Sequence, residues 1–205
     1  MTKIKICGIT NKRDAIAAAG LMPDMMGFVF YNGSKRCVEP KVVRDIANEL
    51  PPSVLKVGVF VNEESGKVLK IAEECSLEML QFHGDESPDY CAGFKDDYKV
   101  IKAFRIKDSV SLKGINDYNT DFYMLDTYSS KAKGGTGEKF DWKIIESFEF
   151  LRPVILSGGL TPDNVREAIE KFAPYGVDVS SAVEASPGKK DLILMKKFME
   201  NVRKV

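Results

Sequence analysis

The sequence predicts an α/β protein that folds as a single (β/α)8 TIM barrel over residues 1–205, with a parallel eight-stranded sheet. Short β-like runs alternate strictly with longer helical runs, which is typical of parallel strands joined by helical crossovers. Several strands, such as MMGFVF and PVIL, are almost wholly apolar, as expected where both faces of a sheet are covered. The first turn, CGITNK, lacks the G-x-G-x-x-G spacing of an open dinucleotide-binding sheet, so a closed barrel is favoured over a doubly wound sheet.

The chain divides into successive strand–helix units. Apolar runs predict strands at residues 3–7, 25–30, 54–61, 78–83, 99–104, 121–126, 153–157 and 176–181. Helical patterns predict helices at residues 11–19, 40–50, 64–73, 87–94, 109–115, 142–148, 161–172 and 190–202, of which 109–115 has the weakest pattern. Pro40 fits the first turn of the second helix, and Thr161 followed by Pro162 predicts the capped start of another.

Composition excludes several classes of function. The 30 Lys+Arg residues balance the 30 Asp+Glu residues, so the chain has no overall field that would attract nucleic acid or an anionic membrane. No apolar run approaches the roughly 20 residues of a membrane span, and no signal peptide is visible. One histidine and four cysteines without a CxxC pair argue against a metal site. We therefore expect a cytoplasmic protein with reduced thiols and no metal.

Polar residues follow the predicted strands where a barrel of this kind builds its active site. In chain order they are Cys7, Lys35, Arg36, Asn62, Gln81, His83, Arg105, Asp126, Ser157, Gly158, Gly159, Asp178, Ser180 and Ser181. A thiol, carboxylates, cations and backbone amides together suit proton transfer on an anionic substrate.

The loops after the last two strands predict a phosphate site. Gly158 and Gly159 would let backbone amides approach a ligand, and Ser180 and Ser181 precede a possible short extra helix at residues 183–186. The alternative is that the two glycines merely allow a tight turn. The GGTG run at residues 134–137 is either a mobile lid or a flexible connection.

Cys7 and Asp126 form the candidate catalytic pair. By position alone, Cys7 resembles a small buried hydrophobic residue and Asp126 a turn cap. Together they could serve as base and acid if the site shifts both pKa values toward neutrality. Arg36 is either a solvated loop charge or a planar fork for a substrate carboxylate. We expect His83 to pack or hydrogen-bond rather than act as the main base.

Several stretches together resemble the phosphoribosylanthranilate isomerase family of tryptophan biosynthesis. They span essentially the whole chain: KIKICGIT, GFVFYNGSKR, VGVFVNE, LQFHGDE, MLDT, GGTGEKFDW, ILSGGLTPDNV and VDVSSAVEASPGKKD. The resemblance implies an Amadori rearrangement of N-(5-phosphoribosyl)anthranilate to 1-(2-carboxyphenylamino)-1-deoxyribulose 5-phosphate. It also implies a monomer or homodimer that needs neither metal nor cofactor. Ala182 stands where the family pattern VSSGVE has glycine.

The resemblance further implies a role for each matching residue. Asp126 would be the general acid, Cys7 the general base and Arg36 the ligand of the anthranilate carboxylate. Amides around four residues would hold the phosphate: Gly158, Gly159, Ser180 and Ser181. We also expect three strand-end residues and one loop glycine to bind substrate: Gln81, His83, Asp178 and Gly135.

Two other functions are compatible with such a barrel. One is a related sugar-phosphate isomerase of histidine synthesis, which is expected to use paired aspartates and is therefore disfavoured by Cys7. The other is a non-catalytic protein that binds a phosphorylated ligand, which is disfavoured by the joint presence of Cys7, Asp126 and Arg36.

Overall fold

Eight parallel strands close into a barrel in sequence order, which confirms the predicted fold class. The computed structural model describes residues 1–127, 145 and 147–205. The barrel strands are β1 (Lys3–Cys7), β2 (Met25–Val29), β3 (Leu55–Phe60), β4 (Met79–Phe82), β5 (Lys99–Ile106), β6 (Phe122–Thr127), β7 (Val154–Ser157) and β8 (Gly176–Val179). Strand β8 pairs with β1 and closes the ring, with Ile4 opposite Val177 and Lys5 opposite Asp178.

Helices cover the outside of the barrel. Among the described residues they are α1 (Lys12–Ala19), α2 (Pro40–Ala47), α3 (Ser65–Glu74), α4 (Pro88–Ala92), α5 (Val165–Phe172) and α6 (Leu192–Arg203). Helix α2 begins at Pro40 as predicted, while α6 begins after Asp191, whose carboxylate accepts from the Ile193 and Leu194 amides. No helix within these described ranges is long and apolar enough to cross a membrane.

Apolar side chains fill two separate layers. A large cluster lies between the strands and the helices, and a smaller one fills the barrel interior. The interior cluster contains Met25, Val57, Met79, Ile101, Ala103, Met124 and Ile155. Both faces of most strands are therefore buried, which explains why the strands are continuous apolar runs in the sequence.

Lysine–carboxylate pairs recur at the starts of alternate strands. At the start of β1, the Lys3 ammonium donates to Oδ1 of Asp24 at 2.8 Å, and the Ile4 amide donates to Oδ2 of the same carboxylate at 2.9 Å. Asp24 directly precedes β2. The same arrangement joins β3 to the residue before β4 through Lys56 and Glu78, and β5 to the residue before β6 through Lys99 and Asp121. These pairs link neighbouring strands at the amino-terminal end of the barrel, opposite the carboxyl ends of the strands.

The structure corrects two predicted helices. Residues 109–115 form two 3-10 turns, Ser109–Leu112 and Ile115–Asp117, because Gly114 between them adopts a left-handed φ of 76°. Thr161 closes a turn by accepting from the amides of Asp163 and Asn164, and helix α5 begins later, at Val165. The predicted helix at 142–148 falls mostly outside the described residues.

The extra helix predicted at residues 183–186 is also wrong. A 3-10 turn, Ser181–Val183, lies just before the predicted helix. The strand predicted over 176–181 therefore ends at Val179. Strand β9 (Glu184–Ser186) then pairs antiparallel with β10 (Lys189–Lys190). Pro187 and Gly188 connect the two, and the left-handed φ of 79° at Gly188 lets the chain reverse.

Candidate active site

One cavity of about 320 Å³ opens where the barrel strands end. Ten of the predicted site residues line it: Cys7, Arg36, Gln81, His83, Asp126, Gly158, Gly159, Asp178, Ser180 and Ser181. Its volume is in the range of pockets that bind small molecules. The remaining predicted site residue, Gly135, lies outside the described residues. The strand-end candidates Lys35, Asn62 and Arg105 do not line this cavity.

Cys7 ends β1 with only 8% of its surface exposed. Its neighbour on β2 is Gly27, where an added Cβ would lie 2.6 Å from the Cys7 sulfur, so only glycine leaves room for the thiol. Gly8 follows with a left-handed φ of 78°, and a Cβ there would collide with the Arg36 side chain. Burial raises the pKa of the Cys7 thiol, while the positive charges of Lys5 and Lys190 oppose this rise.

Beside Cys7, a buried network joins three strands. Lys5 is fully buried and donates to Oδ1 of Asp178 at 2.9 Å. Ser157 donates to Oδ2 of the same carboxylate, also at 2.9 Å. Asp178 was predicted to bind substrate, but both of its oxygens already accept hydrogen bonds from the protein.

Asp126 lies at the end of β6 and is held by His83. Nε2 of His83 is 3.1 Å from Oδ2 of Asp126, and its Nδ1 is 3.1 Å from the Gln81 amide nitrogen. Because that nitrogen is a donor, His83 accepts at Nδ1 and carries its proton on Nε2, facing Asp126. Gln81 is 1% exposed, and its Oε1 has no hydrogen-bond partner among the described residues.

Arg36 is fixed by a buried carboxylate. Its Nε and Nη2 donate to the two oxygens of Glu184 at 2.8 and 2.7 Å. Lys190 also donates to Glu184, at 2.9 Å, and to the backbone oxygen of Ser180, at 3.1 Å. Burial alone would raise the pKa of Glu184, but hydrogen bonds from both cations outweigh it and lower that pKa. Two cations share one carboxylate, so this edge of the cavity stays positive.

Backbone amides line the corner between β7 and β8. Gly158 and Gly159 have left-handed φ values of 78° and 68°, which side chains other than glycine rarely adopt. Asn164 donates to the Gly159 oxygen and accepts from the Thr161 amide, which holds this loop in place. Ala182 lies in the 3-10 turn Ser181–Val183, where φ is negative, so alanine at this position causes no backbone strain.

Three residues that build the site were not predicted. Lys5 could have been found, because it precedes Cys7 by two positions and strand side chains alternate between faces. Glu184 and Lys190 gave no such signal. Their contacts with Arg36 and Ser180 depend on the β9–β10 hairpin, which the sequence pattern did not predict.

The arrangement places an acid or base candidate at each of two points of one cavity, together with a fixed positive charge and the glycine- and serine-containing loops after β7 and β8. Within the described part of the chain, no group of three or more His, Cys, Asp or Glu side chains is placed to hold a metal ion. All four cysteines are free thiols. The residues present therefore support proton transfer on a ligand that carries negative charge.

Comparisons with known proteins identify the family. A family model described as N-(5'-phosphoribosyl)anthranilate (PRA) isomerase matches residues 4–201. The protein named N-(5'-phosphoribosyl)anthranilate isomerase from Pelobacter propionicus is 45% identical over 199 residues, which cover 97% of this chain and 94% of the relative.

Solved structures agree with this match. The crystal structure of phosphoribosyl anthranilate isomerase from Thermotoga maritima is 42% identical, covers 100% of both chains and has a TM-score of 0.90. A second such structure, in complex with reduced 1-(o-carboxyphenylamino)-1-deoxyribulose 5-phosphate, is 39% identical, covers 100% of both chains and has a TM-score of 0.87. The chain therefore belongs to the phosphoribosylanthranilate isomerase family, whose members are aldose–ketose isomerases of tryptophan biosynthesis.

Proposed function

We propose that this isomerase rearranges N-(5-phosphoribosyl)anthranilate to 1-(2-carboxyphenylamino)-1-deoxyribulose 5-phosphate, with Asp126 as general acid and Cys7 as general base. The observation that carries the proposal is that both side chains line one cavity, from strands separated in the closed ring by β7 and β8. Two proton-transfer groups at separate points are what the reaction needs, because the ring oxygen is protonated and C2 is then deprotonated in successive steps on one bound sugar.

The first step opens the ribose ring. Asp126 gives a proton to the ring oxygen, the bond from that oxygen to C1 breaks, and the anilino nitrogen supplies the electrons that form a Schiff base. The His83 hydrogen bond to Oδ2 orients the carboxyl group and leaves Oδ1 to face the substrate. Within the described residues, no protein donor engages that second oxygen.

The second step moves a proton from carbon. The positively charged Schiff base makes the neighbouring C2 proton more acidic, so a modest base is sufficient. The Cys7 thiolate takes that proton and gives an enolamine, which tautomerises to the ketone. Each of these proton transfers contributes typically 10²–10⁴-fold to the rate.

Two anchors hold the reacting carbons between the acid and the base. Arg36, fixed by Glu184, is the proposed partner of the anthranilate carboxylate. The amides around Gly158, Gly159, Ser180 and Ser181 are the proposed phosphate site. The complex of the solved relative supports this arrangement, because its ligand carries a carboxyphenyl group at one end and a 5-phosphate at the other.

The assay follows the loss of the fluorescence of N-(5-phosphoribosyl)anthranilate when this substrate is mixed with purified protein. We expect turnover by the wild type. Conversion of the corresponding histidine-pathway aminoaldose alone would instead support the related isomerase, and tight binding of the reduced product without turnover would support a non-catalytic binder. One solved relative is described as generated monomers of the dimeric phosphoribosylanthranilate isomerase from Thermotoga maritima. We propose a monomer or homodimer for this chain, to be measured by light scattering.

A further inference from the structure

Lys5 is a charged side chain in the interior of the barrel. None of its surface is exposed to solvent, and it lies on the same face of β1 as Cys7, two residues later. The proposed reaction does not use Lys5 directly. Burial of an ammonium group lowers the stability of the fold unless the group is paired and hydrogen-bonded. A charged Lys5 beside the thiol therefore requires a partner within the barrel.

Asp178 compensates the Lys5 charge. The two residues are opposite each other in the β1–β8 register, and their side chains meet at 2.9 Å. The second oxygen of Asp178 accepts from Ser157, which holds the carboxylate in one orientation. Asp178 therefore keeps Lys5 both charged and fixed in position.

Gly27 on β2 leaves space beside the Lys5 ammonium. A Cβ at Gly27 would lie 2.6 Å from the Cys7 sulfur and 3.0 Å from the Lys5 nitrogen. Thiol and ammonium thus converge on the space that glycine leaves empty on β2. This is the geometry in which a cation stabilises a thiolate.

We propose that Lys5 is a positioning residue that stabilises the thiolate of Cys7 and fixes its sulfur at the end of β1, with Asp178 holding Lys5 in place. The inference rests on the proposed function of Cys7 as the general base. It explains how a thiol with 8% exposure provides a base at all, since burial alone favours the neutral form.

The charges around Cys7 agree with this role. Burial raises the pKa of the thiol, Lys5 on its own strand opposes the rise most strongly, Asp178 on β8 adds to it, and Lys190 on β10 opposes it. Arg36, from the loop after β2, also interacts with the Cys7 charge. Asp126 and His83 face the same cavity from β6 and from the end of β4.

The test measures the pH at which Cys7 becomes reactive. Wild type and Lys5→Met are treated with iodoacetamide over a pH series, and the alkylation rate of the Cys7 peptide is followed by mass spectrometry. We expect the midpoint for Cys7 to rise by about 1–3 pH units in Lys5→Met, as for loss of an adjacent opposite charge. The acidic limb of kcat/KM should move to higher pH by the same amount, because the base must be deprotonated.

Lys56→Met is the matched control. Lys56 is another buried strand lysine paired with a carboxylate, Glu78, but unlike Lys5 it is not one of the charges that act on the Cys7 thiol. This variant should leave the Cys7 midpoint at the wild-type value. A Lys5→Met midpoint equal to that of the wild type would overturn the proposal.

A double variant covers the possibility that Lys5→Met does not fold, since it leaves Asp178 buried without its cation. Lys5→Met/Asp178→Asn removes both charges. Because Lys5 affects the Cys7 thiol more strongly than Asp178 does, the midpoint should still rise, by less than in the single variant. An unchanged or lower midpoint in the double variant would contradict the proposal.

The alkylation readout does not depend on isomerase activity. If Cys7 is not the base, the midpoint still shifts while Cys7→Ala retains turnover. If Lys5 has no effect on the thiol, the midpoint stays in place while Cys7→Ala loses turnover.

Discussion

Arg36 and Glu184, 148 positions apart in the chain, form a bidentate ion pair at the rim of the barrel, with hydrogen bonds of 2.8 and 2.7 Å. Glu184 is almost fully buried, whereas the Arg36 side chain is about one-quarter exposed to the cavity, at 24%. The geometry fixes the guanidinium plane before any ligand arrives. Preorganisation of this kind reduces the entropy lost when a planar carboxylate binds.

Glu184→Gln tests that preorganisation. Glutamine has the same size but loses the charge, so Arg36 and Lys190 lose their shared partner. Loss of a hydrogen bond to a charged group is worth about 1.5–3 kcal/mol, so we expect KM for the anthranilate substrate to rise by about 10–100-fold, with a smaller change in kcat.

Steady-state kinetics measure this effect, with Glu170→Gln as control. Glu170 pairs with Arg166 on the exposed surface of α5, and such pairs contribute little. A KM of Glu184→Gln that equals that of the control would show that Arg36 needs no partner to bind.

Glu184 also predicts how stability changes with pH. Its pKa is lowered from the ordinary value of 4.5, despite burial, by its hydrogen bonds to Arg36 and Lys190. A carboxyl whose folded pKa lies below its unfolded pKa stabilises the fold at higher pH, and this contribution is lost as pH falls below about 4.5. Glu184→Gln should be less stable than the wild type at pH 7, and the gap should narrow on acidification.

Thermal melting curves from pH 7 down to pH 3 measure that gap. Removal of one partner of a buried pair costs about 3–5 kcal/mol, which sets the scale of the difference at pH 7. A difference in melting temperature that stays constant over this pH range would mean that the Glu184 carboxylate does not titrate with folding.

His83→Ala separates two roles for the histidine. If His83 orients Asp126 through the 3.1 Å contact, its loss should lower kcat by about tenfold or more and change KM little. If it binds substrate, as expected from the sequence, KM should rise while kcat is retained. Steady-state kinetics in the fluorescence assay distinguish these outcomes, and a variant with wild-type kcat would contradict the positioning role.

The sequence predicted the barrel well because each strand is a local pattern. All eight strands lie within two residues of the predicted bounds at each end, since apolar runs and their flanking Gly, Pro and polar residues determine them directly. Cys7 and Asp126 were placed at strand ends for the same reason. Weak local signals were misleading at residues 109–115 and 183–186, where Gly114 and Gly188 redirect the chain.

The parts of the site that could not be predicted depend on distant contacts. Nothing in the local sequence pairs Arg36 with Glu184 or joins Lys190 to the Ser180 carbonyl, because both contacts need the closed barrel and the β9–β10 hairpin. Lys5 is different. The KIKIC alternation already placed it on the same face as Cys7, and only its partner, Asp178, required the structure.

Turnover of Cys7→Ala, measured beside that of Cys37→Ala, tests whether Cys7 is the base. Cys37 is a free thiol in the loop after β2 that does not line the cavity. Loss of a general base should lower kcat by about 10²–10⁴-fold in Cys7→Ala, while Cys37→Ala keeps wild-type kcat. A Cys7→Ala enzyme that turns over N-(5-phosphoribosyl)anthranilate as fast as Cys37→Ala would show that Cys7 is not the base.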